Sequence, residues 1–395
     1  MHTIMGSGAS VHRETKSAVA DAVQKASARL HGRQPSYGFL FVSPRHDLRS
    51  ALIAARHAAS CDAIIGCSTA GEITEAGLTH DGVAVMLVAS DASTVRMAFS
   101  PGMKEDPAVV ADELYRGFSE FKRTATSHEH RRLTSVILTD GLVNTGERLV
   151  ADVHDRSPSG SQIVGGAAGD DGRFKLTMAG AGERAERDAA AALHVFSTSA
   201  WGIGVNHGLR ATTKQMRVTK AHDNVVVEID GEPAFHAYEK HAAERGIQLT
   251  RENAVPYMIA NELGIHFFEK IIRARAPLAV DSDGALTCAG DIPKGAMISI
   301  VDGKPDQLIE AAKDASGEAH AHLKGVKAAG VLLFDCVCRG MILKDQFHRE
   351  IDAVRSVFGD VPIAGFLSYG EIARYSGNLD GWHNNTAVVV AIPAS

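Results

Sequence analysis

A three-part unit recurs three times along this chain, and few folds can accommodate that recurrence. In the first copy a strand-like run, Phe39-Leu40-Phe41-Val42, precedes a helical stretch over 47–59 and a second short strand, Ala63-Ile64-Ile65. That strand runs into Gly66-Cys67-Ser68-Thr69-Ala70-Gly71-Glu72, and Val83 to Val88 closes the unit. In the second copy Ser135-Val136-Ile137-Leu138 is followed by a helix from near Thr145 and by the strand Gln162-Ile163-Val164. The turn Gly165-Gly166-Ala167-Ala168-Gly169-Asp170 comes next, then the closing strand Ala192 to Phe196. The third copy has Gly330 to Phe334, a helix over 344–358, and the strand Pro362-Ile363-Ala364. Gly365-Phe366-Leu367-Ser368-Tyr369-Gly370-Glu371 and the strand Ala387 to Ile392 complete it.

A strand, a crossover helix and a second strand form a βαβ unit, with parallel neighbours and a right-handed connection. The expected fold class is therefore α/β, with mixed or parallel sheets built from strand–helix–strand–glycine turn–strand units. The glycines fall where the second strand ends, the place where open α/β sheets bind ligands. Glycine there permits φ > 0 and lets backbone N–H groups approach a ligand. The three turns are expected to converge on one pocket. Glu72, Asp170 and Glu371 end the turns, the middle one a residue shorter; such a carboxylate either orients a ligand amine or caps a helix.

Outside the repeat, Val19, Ala22, Val23, Ala26 and Leu30 give 14–31 a helical period, ended by Gly32 and Pro35. Gly6-Ser7-Gly8 reads as a mobile terminus. Between the second and third copies, Val225 to Pro233 reads as a strand, a turn and a helix start, and Gly290 to Gly295 as a tight turn before Met297 to Val301. With 395 residues, two domains are expected: an extension over 1–35, then 36–232 and 233–395.

Several function classes fall away. The chain has 41 Lys and Arg against 47 Asp and Glu, a net charge of −6, which does not suit a general nucleic-acid binder. The Arg131-Arg132 pair reads as solvated surface. The five cysteines show no CxxC spacing and no disulfide framework. On a strand, Cys336 and Cys338 would point to opposite faces, which disfavours a local zinc clamp. No apolar run is long enough to cross a bilayer and no signal peptide is evident, so a reducing, cytoplasmic setting is expected. No Walker P-loop, HExxH or GxSxG is present. Cys67 and Ser68 look like nucleophiles, but a thiolate needs a neighbouring cation or base. A thiol-dependent enzyme using Cys67 or Cys336 is the remaining catalytic alternative.

Taken in order, the motifs resemble the FIST family over residues 36–393. The N-terminal pattern is similar to Ile65 to Glu72, Val164 to Asp171, Gly204-Val205-Asn206-His207-Gly208 and Val218 to Ala234. The C-terminal pattern is similar to Phe334-Asp335-Cys336-Val337-Cys338-Arg339-Gly340, Ala364 to Ile372 and His383-Asn384-Asn385-Thr386. Asp335 stands where the family usually has Ser, and Cys338 adds a thiol. The resemblance implies a non-catalytic sensory module for small, amino-acid-like molecules that signals through a separate partner such as a histidine kinase. Some free-standing members are haem proteins that sense nitric oxide, so b-type haem is the alternative cofactor. The ligand-binding candidates are Cys67, Ser68, Gly71, Glu72, Gly166, Asp170, Arg339, Tyr369 and Glu371. Arg339 suits a ligand carboxylate or an internal acid such as Glu371. Candidate haem ligands are His207 and His383, inside the motifs; His236 and His266 also lie near aromatic residues. With no CxxCH in the chain, covalent haem attachment is excluded.

Overall fold

The computed structural model describes residues 2–126, 132–267, 271–375 and 381–394. All three repeat copies form where the hydrophobic pattern puts them. The first is Tyr37–Val42, helix Leu48–Ala59 and Ile64–Ser68, closed by Val83–Ser90. The second is Arg132–Thr139, helix Gly146–Arg156 and Gln162–Ala167, closed by Ala189–Ser197. The third is Ala328–Cys336, helix Phe347–Phe358 and Ile363–Ser368, closed by Ala387–Pro393. In every copy the crossover pair is parallel and the closing strand antiparallel. The strands are apolar on both faces because both faces are covered. Phe39 and Phe41 pack with Phe334 and Phe366 at the centre, while Leu40 and Val42 pack against helix residues such as Val19 and Leu52.

The N-terminus corrects the sequence reading. Residues Thr3–Ser10 are not mobile: they form an edge strand that pairs along its length with Val83–Ser90. Gly6 and Gly8 lie under helix Thr15–Ala28, where a Cβ would overlap the carbonyls of Ala26 and Ala22. They are close-packing glycines, a role invisible until the helix is in place. Ser93–Pro101 and Gly202–Asn206 are the matching edge strands of the other two copies.

After its turn, each copy sends a hairpin into a neighbour's sheet. Glu72–Thr74 with Gly77–Thr79 joins the third copy beside Ile363–Ser368. Glu371–Arg374 with Gly381–His383 joins the second beside Gln162–Ala167. Ala179–Ala181 with Arg184–Glu186 joins the first beside Ile64–Ser68. The exchange is cyclic and yields three six-stranded sheets with approximate three-fold symmetry. Asp81, Asp188 and Asn385 hold equivalent places before the closing strands, and all three are left-handed, with φ of 59°, 51° and 55°. Asp and Asn tolerate that region better than most residues.

The third copy is interrupted. Between Gly202–Asn206 and Pro305–His322, the helix that packs on it, residues 210–302 build a nine-stranded sheet with helices Ala234–Ala243 and Ala254–Ala260. This insert has its own core, including Val226, Tyr238, Met258 and Ile300. The turn at 230–231 lies inside it, so residues on both sides of 232/233 share one sheet.

Candidate functional site

The glycine turns do meet, at the three-fold axis. Ala70 N–H donates to the Leu367 carbonyl (3.0 Å), Gly169 N–H to Ser68 (2.9 Å) and Tyr369 N–H to Ala167 (3.1 Å). These are equivalent donors and acceptors, so the three bonds close a ring. The turns grip one another, and Cys67, Ser68, Gly71, Glu72, Gly166 and Glu371 are buried by that grip. Glu72 and Glu371 occupy matching positions. Glu72 accepts from the Thr69 hydroxyl (2.5 Å) and the Gly82 N–H (3.1 Å). Glu371 accepts from the Ser368 hydroxyl (2.6 Å) and the Thr386 N–H (3.2 Å). Burial pushes both carboxyls up to about 7.

Asp170 is not their counterpart; by strand pairing that place belongs to Ala179. Asp170 instead accepts from the N–H groups of Phe174 (2.7 Å), Lys175 (2.6 Å) and Leu176 (2.8 Å), and from the Tyr369 hydroxyl. Burial would raise it, but these donors hold it below the usual carboxylate range.

Arg339 is fully buried and paired within the chain. Its Nε lies 2.9 Å from Asp335 and 3.0 Å from Glu350, and its other nitrogens donate to the carbonyls of Leu308 (2.9 Å) and His207 (3.2 Å). Its partner is therefore Glu350 rather than Glu371. Burial, with Glu350 alongside, pushes the Asp335 carboxyl well above its ordinary value. The strand geometry expected for Cys336 and Cys338 is also corrected. The strand ends at Cys336 and helix Val337–Leu343 begins, which brings the two thiols into a mutual hydrogen bond. Burial pushes the Cys67 and Cys336 thiols well above their ordinary value.

Neither motif histidine lines the hollow described below. His207 lines a shallow cleft with Arg210, Asp306, Glu310 and Asp314. His383 sits opposite Glu371 on its hairpin, 1% exposed, and burial pushes it down to about 3. His236 is exposed, and His266 is within 2.9 Å of the Ser299 hydroxyl. Arg132 is exposed, as expected; Arg131 lies outside the described residues.

A partly open hollow lies beside the ring of turns, where the second copy, the third copy and the insert meet. It has a volume of about 120 Å³. The second copy contributes Leu142 and Glu147, the third Cys336, Cys338 and Met341, and the insert Ile259 and Leu278. The exchanged hairpin and its closing turn add Trp382 and Asn384, and Tyr369 comes from the third turn. Phe174 stacks on Tyr369 with centroids 4.6 Å apart and planes 16° from parallel. The Trp382 indole fits because Gly146 has no side chain: a Cβ there would come within 2.6 Å of the ring. Its N–H donates to the Ala289 carbonyl (3.1 Å), tying the hairpin to the insert.

Two features set the chemistry of this hollow. Asn384 is 1% exposed, and neither amide atom has a hydrogen-bond partner among the described residues. Glu147 takes the Arg275 guanidinium (2.7 Å) and the Asp291 N–H (3.1 Å). Behind Asn384, the Asn385 amide donates to Glu262 (2.9 Å), whose carboxyl is pushed by burial up to about 8. Of the residues singled out from sequence, Tyr369, Cys336 and Cys338 line the hollow; Asn384, quoted only as part of a motif, was not taken as a site residue, and Trp382, Glu147 and Glu262 were missed. The consecutive amides Asn384-Asn385 were the available signal, since two asparagines beside a buried strand need partners. A wider hollow of about 580 Å³ lies at the three-fold-related position, with Leu78 and His80 in place of Trp382 and Asn384.

The FIST N domain family model matches residues 36–232, and the FIST C domain model matches residues 234–374. The chain belongs to the FIST family. FIST domains are sensory domains that bind small ligands. No curated protein matches the chain. Among solved structures, T. maritima PurL complexed with ADP aligns with 98% of this FIST chain and 71% of its own, at 10% identity and a TM-score of 0.24. That likeness is too distant to carry a fold argument. No helix among the described residues of the FIST chain is long and apolar enough to cross a membrane.

Proposed function

We propose that this FIST protein is a ligand-operated sensor whose ligand occupies the hollow at Asn384, and that it signals by altering a separate partner such as a histidine kinase. The observation that carries the reading is the buried amide of Asn384, without a hydrogen-bond partner among the described residues and set in a mostly apolar wall. Buried polar groups are rarely left unsatisfied, and a ligand is one way to meet the need. The walls come from two copies and the insert, so a bound molecule touches three parts of the chain at once. A ligand that favours one arrangement of those parts shifts its population, which is what an output partner can read. The setting is cytoplasmic, where five buried free thiols stay reduced.

Catalysis is no part of this proposal, because thiols raised by burial are poor nucleophiles. Nor is haem: about 120 Å³ is small for a macrocycle, and His207 and His383 do not line the hollow. The experiment is a thermal-shift screen of small molecules, repeated on Asn384→Leu, with an absorption spectrum of protein made in haem-supplied cells. A ligand that raises the melting temperature of the wild type but not of the variant supports the proposal. A Soret band would replace it with the haem reading, and hits unaffected by Asn384→Leu would move the site elsewhere.

A further inference from the structure

We infer that the ligand is recognised through an uncharged amide-type edge, one N–H donor beside one acceptor, carried on a flat apolar body. This deepens the reading of the hollow as the ligand site and rests on it.

Asn384 decides the polar end. A primary amide offers donors on nitrogen and an acceptor on oxygen, and here both atoms are buried without partners among the described residues. One group satisfies both at once if it presents an acceptor next to an N–H. Carboxamides, lactams and nucleobase edges do so, and the bidentate pairing of asparagine with adenine uses this geometry. A ring ether, which only accepts, would leave the amide oxygen unmet, at a cost of about 1–3 kcal/mol.

The charges argue against an ionised ligand. Glu147 is the charged side chain on the wall; it is held by Arg275 at 2.7 Å. It also stands in the first turn of helix Gly146–Arg156, where the helix dipole favours a negative charge. A ligand carboxylate would meet that like charge, while a ligand ammonium would have to displace Arg275, which is itself 1% exposed. The layer behind Asn384 supplies little charge either, since Glu262 keeps its proton at neutral pH. Burying an ion with no partner is costly, so the neutral form is favoured.

Shape and size fix the body. The stacked rings of Phe174 and Tyr369 and the indole of Trp382 offer flat surfaces. At the mouth, Leu142, Phe174 and Met341 are 39%, 43% and 39% exposed. Three large apolar side chains around one opening suit an apolar outer end. A volume of about 120 Å³, near the roughly 150 Å³ of a cavity that binds benzene, suits a ligand of one ring with a small polar group.

The test uses the full chain and three probes of one shape: benzamide, benzoate and benzamidine. Binding is read by thermal shift and by tryptophan fluorescence, because Trp382 lines the hollow and Trp201 is fully buried elsewhere. Benzamide should bind and change the fluorescence, with benzoate and benzamidine weaker by about tenfold or more. Asn384→Leu should weaken benzamide by a similar factor while leaving the unliganded protein at least as heat-stable as wild type. Benzoate or a free amino acid binding as well as benzamide, with the same fluorescence response, would overturn the ligand class and leave the site standing. Benzamide binding that neither Asn384→Leu nor the fluorescence registers would overturn the site itself. Failure of benzamide to bind at up to about 10 mM, a weak limit for so few atoms, would also overturn the inference.

Discussion

At the scale of single residues, the repeated glycines are set by contact with the strand beside them. A Cβ at Gly165 or Gly365 would overlap the carbonyl oxygen of Ile137 or Leu333 in the adjacent parallel strand. Gly165→Ala is therefore expected to cost about 3 kcal/mol or more, because the obstacle is backbone and cannot swing away. Gly231→Ala, where a Cβ meets nothing within 4 Å but φ is +84°, should cost only about 1 kcal/mol of strain. Chemical denaturation of the two variants checks the order. Glu262 gives a pH signature. Its folded-state pKa of about 8 lies above the reference value of 4.5, so the folded protein keeps a proton that the unfolded chain loses. The stability from that proton is complete below pH 4.5 and is lost as pH climbs to about 8. Glu262→Gln removes this loss, so the variant should gain on wild type between pH 5 and 8. The gain should be a few kcal/mol, at about 1.4 kcal/mol per pH unit. Parallel stability profiles for the two proteins would show that Glu262 does not titrate this way.

At the scale of elements, the three βαβ units were legible because their strands are short apolar runs ended by glycine and their helices carry a 3.6-residue period. Leu48–Ala59, Gly146–Arg156 and Phe347–Phe358 all fall within a few residues of the pattern. The hairpins were not legible. Glu72–Thr74 and Ala179–Ala181 have only three residues each, too few for an alternating pattern, and their partners lie in other copies. The candidate site was hidden for the same reason, since Trp382 and Asn384 reach it only through an exchanged hairpin. Tyr369 was visible because it is part of the turn itself. The ring of turns yields a kinetic prediction. The N–H groups of Ala70, Gly169 and Tyr369 should exchange with deuterium slowly and at matching rates, since opening one bond loosens the other two. Much faster exchange at one of the three would show that the ring does not open as a unit.

At the scale of the whole molecule, neither family segment completes its own sheets. The second copy, within residues 36–232, takes its outer hairpin from Glu371–Arg374 and Gly381–His383. Residues 1–232 expressed alone should therefore bare the edge of Gln162–Ala167 and associate or stay partly unfolded. A monomeric fragment with a cooperative melt like that of the full chain would count against this dependence. Adding residues 233–395 in trans should restore a soluble species, measurable by size-exclusion chromatography.

The cyclic exchange also bears on how the protein is made. Glu75, at the tip of the first hairpin, accepts from the N–H of Ile363 across a separation of 288 residues. A ribosome has to deliver those 288 further residues before that loop finds its docking strand. Until then the emerging chain carries an unmatched β-arm, so slowed translation between the codons of Glu75 and Ile363 should lengthen the interval in which chaperones can hold it.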